Sequence, residues 1–181
     1  MQLINAEVVL ETERLLLEPL QKKHAIVLFP LFQAKQIYQY IPQEPPTSVK
    51  ALEQIYQRLE KRLSPNGREA WLNWAVYYKE QQAYIGRIEA TVSADRSCQI
   101  AYLFSPLFWG HGYATEACQH IIANLQQNYH LIKILAEVDT RNLASRKLLQ
   151  GLGFIQIETR RHADSFKGSY SDECVYQLNN F

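Results

Sequence analysis

Between Cys98 and Leu125 the apolar residues change period, and no other feature of the sequence limits the possible folds as strongly. Cys98, Ile100, Tyr102 and Phe104 recur at every second residue, the period of one face of a strand. Ala114, Ala117, Cys118, Ile121, Ile122 and Leu125 then fall at the i, i+3, i+4, i+7, i+8 and i+11 positions of one helical face. Ile132, Ile134, Ala136 and Val138 alternate again as a strand. Strand, helix and strand in this order predict a parallel crossover, right-handed by the usual rule. The hinge of the unit is SPLFWGHGYATEA, where Gly110 and Gly112 let the backbone turn sharply and approach a ligand without an intervening Cβ. The first N–H groups of the helix have no intrahelical acceptor and lie at the positive end of its dipole, so the junction suits a phosphate. A tight strand-to-helix turn explains the same glycines equally well. No Walker lysine is present, and Ala114 and Thr115 interrupt a full GxGxxG, so the two common nucleotide fingerprints are disfavoured.

The rest of the chain arranges itself around this unit. Arg14 to Glu18 reads as an opening strand, and Lys23 to Gln36 and Ser48 to Leu63 read as helices separated by the breaker-rich IPQEPPTS. Thr47 or Ser48 can cap the second of these. Trp71 to Tyr78 and Tyr84 to Val92 read as a hairpin across KEQQ. Asn142 can cap a later helix with Ala144, Leu148 and Leu152 on one side, which Gly153 ends in the left-handed conformation. Phe154 to Thr159 and Cys174 to Leu178 read as closing strands joined by the polar loop RRHADSFKGSYSD. The expectation is an α/β (α+β) fold with a mixed sheet, antiparallel at its start. No repeat, linker or low-complexity tract divides the chain, so residues 1–181 are read as a single domain.

Charge and cysteine content narrow the partners. Nineteen Lys and Arg against eighteen Asp and Glu leave a net charge of +1, which speaks against a nucleic-acid partner. Cys98, Cys118 and Cys174 form no CxxC pair, so neither a disulfide framework nor a cysteine zinc site is expected, and no metal is assigned. The opening MQLINAEVVLETERLLLEPL lacks the basic region and cleavage site of a signal peptide, and no apolar run approaches the ~20 residues that span a bilayer. A cytoplasmic protein with no membrane partner, monomer or homodimer, is the expectation.

The run QIAYLFSPLFWGHGYATEA, followed by TRNLASRKLLQGLGF, resembles the acetyl-coenzyme A site of the GNAT superfamily of N-acetyltransferases. The opening TERLLLEPL and the tail SYSDECVYQL are similar to the ends of the branch that includes the ribosomal-protein N-terminal acetyltransferases. The resemblance implies a GNAT-like mixed central sheet with a parallel strand-helix-strand cofactor unit and flanking helices. The family's six-residue loop carries Gln or Arg first, Gly fourth and Gly or Ala sixth. Here the loop is Trp109, Gly110, His111, Gly112, Tyr113 and Ala114, with Trp109 departing from the first position. By resemblance, N–H groups of this loop and of Thr115 hold the diphosphate of acetyl-CoA, while the His111 side chain faces solvent. Backbone groups of Tyr102, Leu103 and Phe104 pair with the pantetheine arm, which lies where the strand ending at Phe104 splays from the one ending at Val138. The Leu103 N–H then polarises the thioester oxygen. Asn142 lies beside the pantetheine, and its role as a helix cap is compatible with that.

Amide formation also needs an uncharged amine and a proton for the departing thiolate. The resemblance gives the second task to Ser145, for which a local backbone cap is the competing role. Asp164 resembles an acidic residue that faces the acceptor in the ribosomal branch, and a solvated loop carboxylate is the competing reading. Glu89 is the second candidate base. Gln99 stands where many relatives carry Glu, which removes one carboxylate, although holding thioester and amine together supplies much of the acceleration on its own. Tyr38, Tyr40, Ile41, Trp71 and Trp74 either wall an amine pocket or belong to the core. The expected function is acetyl-CoA-dependent N-acetyltransfer, directly to a primary amine. A peptide or protein N-terminus is the first choice of acceptor and a polyamine or aminoglycoside-type amine the second. A CoA-binding GNAT module without turnover is the remaining alternative.

Overall fold

In the computed structural model, which describes residues 4–179, eight strands form one sheet. They are β1 (Leu10–Glu11), β2 (Leu15–Pro19), β3 (Ala70–Tyr78), β4 (Ala83–Val92), β5 (Ser97–Phe104), β6 (Lys133–Asp139), β7 (Ile155–Phe166) and β8 (Ser169–Asn179). The spatial order is β1-β2-β3-β4-β5-β6-β8-β7, antiparallel everywhere except between β5 and β6. The helices are α1 (His24–Leu28), α2 (Val49–Leu59), α3 (Tyr113–Tyr129) and α4 (Leu143–Gly151). The expected domain 1–181 includes residues 1–3 and 180–181, which lie outside the described residues.

The sheet is covered on both faces, which is why seven of the nine β3 residues are buried without alternation. On one side Ile121, Ile122 and Leu125 of α3 pack with Ile88, Ile100, Ile134 and Tyr176 of the strands. On the other, Ala25 and Leu28 of α1 and Leu52 and Tyr56 of α2 enclose Phe32 and Ala75. Ser48 caps α2 as expected, its hydroxyl accepting the Ala51 N–H at 3.1 Å. Gly153, at φ 87°, ends α4, with the Gly153 N–H on the Gln150 C=O and the Phe154 N–H on the Leu149 C=O, both at 3.0 Å.

Three expectations are corrected. The helix expected over 23–36 is only the short α1 followed by 3-10 turns at Leu31–Gln33 and Lys35–Tyr38, because Pro30 has no N–H to continue it. The helix expected to reach Leu63 stops at Leu59. Arg62, at φ 60°, turns the chain away, with its buried guanidinium donating to the Leu20 C=O (2.7 Å) and the Glu7 carboxylate (2.7 Å). Ala144 and Leu148 of α4 do share one side, where they line a cavity, and the fully buried residue of this helix is Leu149. The polar loop before Cys174 is instead the outer part of a β7–β8 ribbon, turning at Lys167 and Gly168, both with positive φ. Most of β7 is exposed, so it carries no buried alternation for a sequence to display.

Sheet pairing opens between β5 and β6. β5 and β6 pair only from Ser97–Gln99 to Lys133–Leu135, after which β5 continues to Phe104 and β6 follows β8. This is the splay that the family resemblance implies.

Candidate active site

A cavity of about 540 Å³ occupies the opening beside β5. Its walls are Tyr102 to Phe104 at the end of β5, the loop into α3, the first turns of α4, and Gln36, Ile37, Gln39 and Tyr40. The phase of β5 decides which backbone groups face it. The Ser105 N–H donates to the Ile85 C=O and the Ser93 N–H to the Ser97 C=O, each at 2.9 Å, and both pairs continue the register that sets Arg87 opposite Leu103. Hydrogen-bonded pairs recur at every second residue of an antiparallel ladder, so Leu103 belongs with Arg87 and turns its N–H toward β4. The groups facing the opening are those of Tyr102 and Phe104. The Leu103 N–H, expected to face the thioester, therefore points into the sheet instead of the opening. The Phe104 C=O is already taken by the Trp109 indole N–H at 2.9 Å, which ties the loop to the strand.

Beyond Trp109, Gly110 (φ 79°) and Gly112 (φ 80°) occupy the left-handed region and deliver the chain into α3. Gly112 sits at the N-cap and offers no side-chain acceptor. The Glu116 N–H donates to the Gly112 C=O at 3.0 Å, while those of Tyr113, Ala114 and Thr115 have no acceptor among the described residues. These residues line the cavity, so the open end of the helix and its partial positive charge look into it. His111 does not line the cavity: its ring is exposed, stacked against Tyr113 at 5.7 Å and joined to the Trp109 C=O at 2.8 Å.

On the opposite wall the start of α4 is closed. Asn142 Oδ1 accepts the Ser145 N–H at 3.1 Å, so the capping role of Asn142 is seen directly. The approach to this helix is fixed by Asp139, whose carboxylate accepts from the Arg141 N–H (2.8 Å), the Arg141 guanidinium (2.6 Å) and the Ser171 hydroxyl (2.7 Å). Burial alone would raise the Asp139 pKa, but these bonds hold it below the usual carboxylate range. The Tyr102 phenol donates to the Ser145 C=O at 3.5 Å, and burial pushes its pKa up, so a neutral Tyr102 phenol lies beside the Ser145 backbone in the cavity wall.

The opposite face of the sheet carries the carboxylates. Directly paired residues share a face, so the ladders place Arg87, Glu89, Gln99, Glu137 and Glu173 together on the side covered by α1 and α2. Glu89 is paired with Arg87 at 2.7 Å, and Glu137 accepts from Gln99 (3.1 Å) and Arg160 (2.7 Å). Burial, then the charge of Glu137, raises the Glu173 pKa. Asp164 lies farther out on the ribbon, opposite Ser171, and its carboxylate accepts the Ser165 N–H at 2.7 Å.

Among the expected site residues, Tyr102, Leu103, Phe104, Trp109, Gly110, Gly112, Tyr113, Ala114, Thr115, Asn142 and Ser145 line one cavity, whereas His111, Glu89 and Asp164 do not. Tyr40 joins the lining, while Tyr38 and Trp74 are buried. The sequence reading missed Lys147, which lines the cavity, and Arg14, which braces the loop from behind. It also missed Glu173, which becomes visible only when β8 is registered on β6. A lysine on the polar side of a helix carries no spacing signal. Burial pushes the Cys98 and Cys118 thiols up to about 12, so neither supplies a thiolate near neutral pH.

Comparison with known proteins adds four findings. The model of the acetyltransferase (GNAT) domain matches residues 14–155. The uncharacterized N-acetyltransferase YoaA of Bacillus subtilis (strain 168) is 25% identical over 172 residues, covering 94% of this chain and 96% of that protein. Among solved structures, RimL, a ribosomal L7/L12 alpha-N-protein acetyltransferase in complex with coenzyme A, superposes with a TM-score of 0.85 at 16% identity, covering 95% of this chain and 98% of the other. The ribosomal-protein-S5-alanine acetyltransferase of Vibrio fischeri gives 0.83 at 18% identity, with coverage of 96% and 97%.

Proposed function

The chain belongs to the GNAT acetyltransferase family and is an acetyl-CoA-dependent N-acetyltransferase, and on that premise we propose that it acetylates the α-amine of a peptide or protein N-terminus by direct transfer. The observation that carries this reading is the meeting, in one cavity, of an uncapped helix start and an unpaired strand edge. The first suits the diphosphate of acetyl-CoA and the second its pantetheine amides. The match of fold along nearly the whole chain to RimL and to the S5-alanine enzyme supports a terminal amine as acceptor.

In this reading the N–H groups of Gly112 to Thr115 hold the diphosphate, and the Lys147 ammonium supplies a cation at the cavity wall. The pantetheine arm pairs with Tyr102 and Phe104 and brings the thioester between β5 and β6. A backbone N–H of this edge, Tyr102 or Phe104, polarises the carbonyl as the tetrahedral intermediate forms. The amine approaches from the face carrying Glu89, Glu137 and Glu173. There Glu173, with its raised pKa, takes the amine proton, and Glu89 and Asp164 remain as alternative carboxylates on the same route. The thiolate leaves toward Ser145, whose hydroxyl hydrogen-bonds it with the Tyr102 phenol alongside until it takes a proton from solvent.

The test is thiol release from acetyl-CoA by the purified chain with three acceptors: a tetrapeptide with a free N-terminus, an N-blocked peptide containing lysine, and spermidine. The free N-terminus should turn over fastest. Preference for spermidine or for the lysine side chain would replace the acceptor assignment, and the absence of thiol release with every amine would leave a CoA-binding module without turnover.

A further inference from the structure

Arg14 belongs to the turn between β1 and β2, remote in sequence from the glycine loop, yet it makes several contacts with the start of α3. Its Nη1 donates to the His111 C=O at 2.9 Å, and its Nε donates to Glu116 Oε2 at 2.6 Å. The guanidinium lies over the Tyr113 ring, 4.5 Å from the centroid. Glu116 in turn is fixed by the Thr12 hydroxyl (2.5 Å) and the Arg14 N–H (3.0 Å), both on its Oε1. One side chain thus grips the residue before Gly112, the first residue of α3 and a carboxylate one turn into the helix.

The bond to His111 has a directional consequence. No peptide bond is cis among the described residues, and across a trans peptide the C=O and N–H point in opposite directions. Drawing the His111 C=O toward Arg14 therefore turns the Gly112 N–H the other way, and Gly112 lines the cavity. Gly112 has the left-handed φ of 80°, so without a brace the His111–Gly112 peptide is free to rotate at little cost. The Arg14 charge is balanced by Glu116, so its effect is one of orientation rather than of added positive potential.

We propose that Arg14 is a positioning residue for coenzyme A, holding the glycine loop so that its N–H groups converge on the diphosphate. This rests on the assignment of the loop to the diphosphate. The test is calorimetric measurement of Kd for CoA and for pantetheine, which has the same thiol arm but no diphosphate. Arg14→Ala should weaken CoA about tenfold, the scale of a lost hydrogen bond to a charged group, and change pantetheine less than twofold. Arg14→Lys, with one donor group in place of a fork, should fall between wild type and Ala. The double variant Arg14→Ala/Glu116→Gln removes the carboxylate left unpaired and should still bind CoA weakly. Equal weakening of both ligands, or unchanged CoA affinity, overturns the proposal. Recovery of wild-type affinity in the double variant also overturns it, since the effect would then be repulsion by Glu116. If the wild type binds CoA no more tightly than pantetheine, the loop assignment itself fails, a result distinct from failure of the Arg14 proposal.

Discussion

Helices α3 and α4 begin on two walls of the same cavity and differ in how their first N–H groups are satisfied. At α4, Asn142 accepts the Ser145 N–H, and Asp139 fixes the turn that leads into the helix. At α3 the N-cap is Gly112, and Tyr113, Ala114 and Thr115 keep N–H groups without acceptors among the described residues. A cap worth about 1 kcal/mol is present at one helix and missing at the other, although both are confined by the same sheet. Under the proposed function, the difference separates a helix start finished for stability from one left open for the diphosphate. The GNAT reading gives that anion an identity and sets Ser145, on the closed helix, near the sulfur rather than the phosphates.

The open start of α3 is disrupted most readily at Gly112. Gly112→Val forces a β-branched residue into φ 80° and disturbs the open N–H groups, so CoA affinity should fall roughly 100-fold by calorimetry. Affinity within threefold of wild type would mean that the α3 start does not hold the cofactor. At the other helix, Ser145→Ala should lower turnover by about tenfold or more while CoA affinity stays within twofold. Equal loss in both quantities would make Ser145 a binding residue. Asn142→Ala should cost about 1 kcal/mol of stability through the lost cap, read by denaturant unfolding, with CoA affinity falling only modestly. A mutation with no effect on unfolding would show the cap to be dispensable.

The smallest effect is with pH. Burial would raise Glu116 and Asp139, but hydrogen bonds from Thr12 and Arg14 in one case, and from Arg141 and Ser171 in the other, leave both below their ordinary values. Carboxyls depressed in the folded state contribute stability above their unfolded pKa and lose it as pH falls through the folded value. The melting temperature should therefore be nearly flat between about pH 7 and 5 from these groups and fall below about pH 4, less steeply in Asp139→Asn. Glu173 has the opposite sign. Its raised pKa favours the protonated form in the folded chain, so its ionisation opposes folding as pH rises, while thiol release should rise over the same interval.

The cofactor unit was legible in the sequence because each of its parts has a physical signature. Alternation marks β5 and β6, the 3.6-residue period marks α3, and paired glycines mark a turn at positive φ. The direction of the Leu103 N–H was not legible, because it depends on which residues of β4 and β5 exchange hydrogen bonds and a one-residue change of phase reverses it. Nor was the carboxylate face: Glu89, Glu137 and Glu173 lie far apart in the chain and meet only through two strand registers. The ribbon hid itself for a related reason. Its tip is held by the Lys167 ammonium on the Tyr38, Ile41 and Gln43 C=O groups at 2.5, 2.8 and 3.1 Å, contacts that leave no periodic trace.

An amide NMR titration with CoA, repeated with inorganic diphosphate, distinguishes an anion held at the open start of α3 from one held at the capped start of α4. The amide protons of Gly112, Tyr113, Ala114 and Thr115 should shift downfield with both ligands, while the Ser145 amide, already bonded to Asn142, should move little with inorganic diphosphate. Unmoved α3 amides, or a Ser145 response to diphosphate as large as theirs, would contradict binding at the open start.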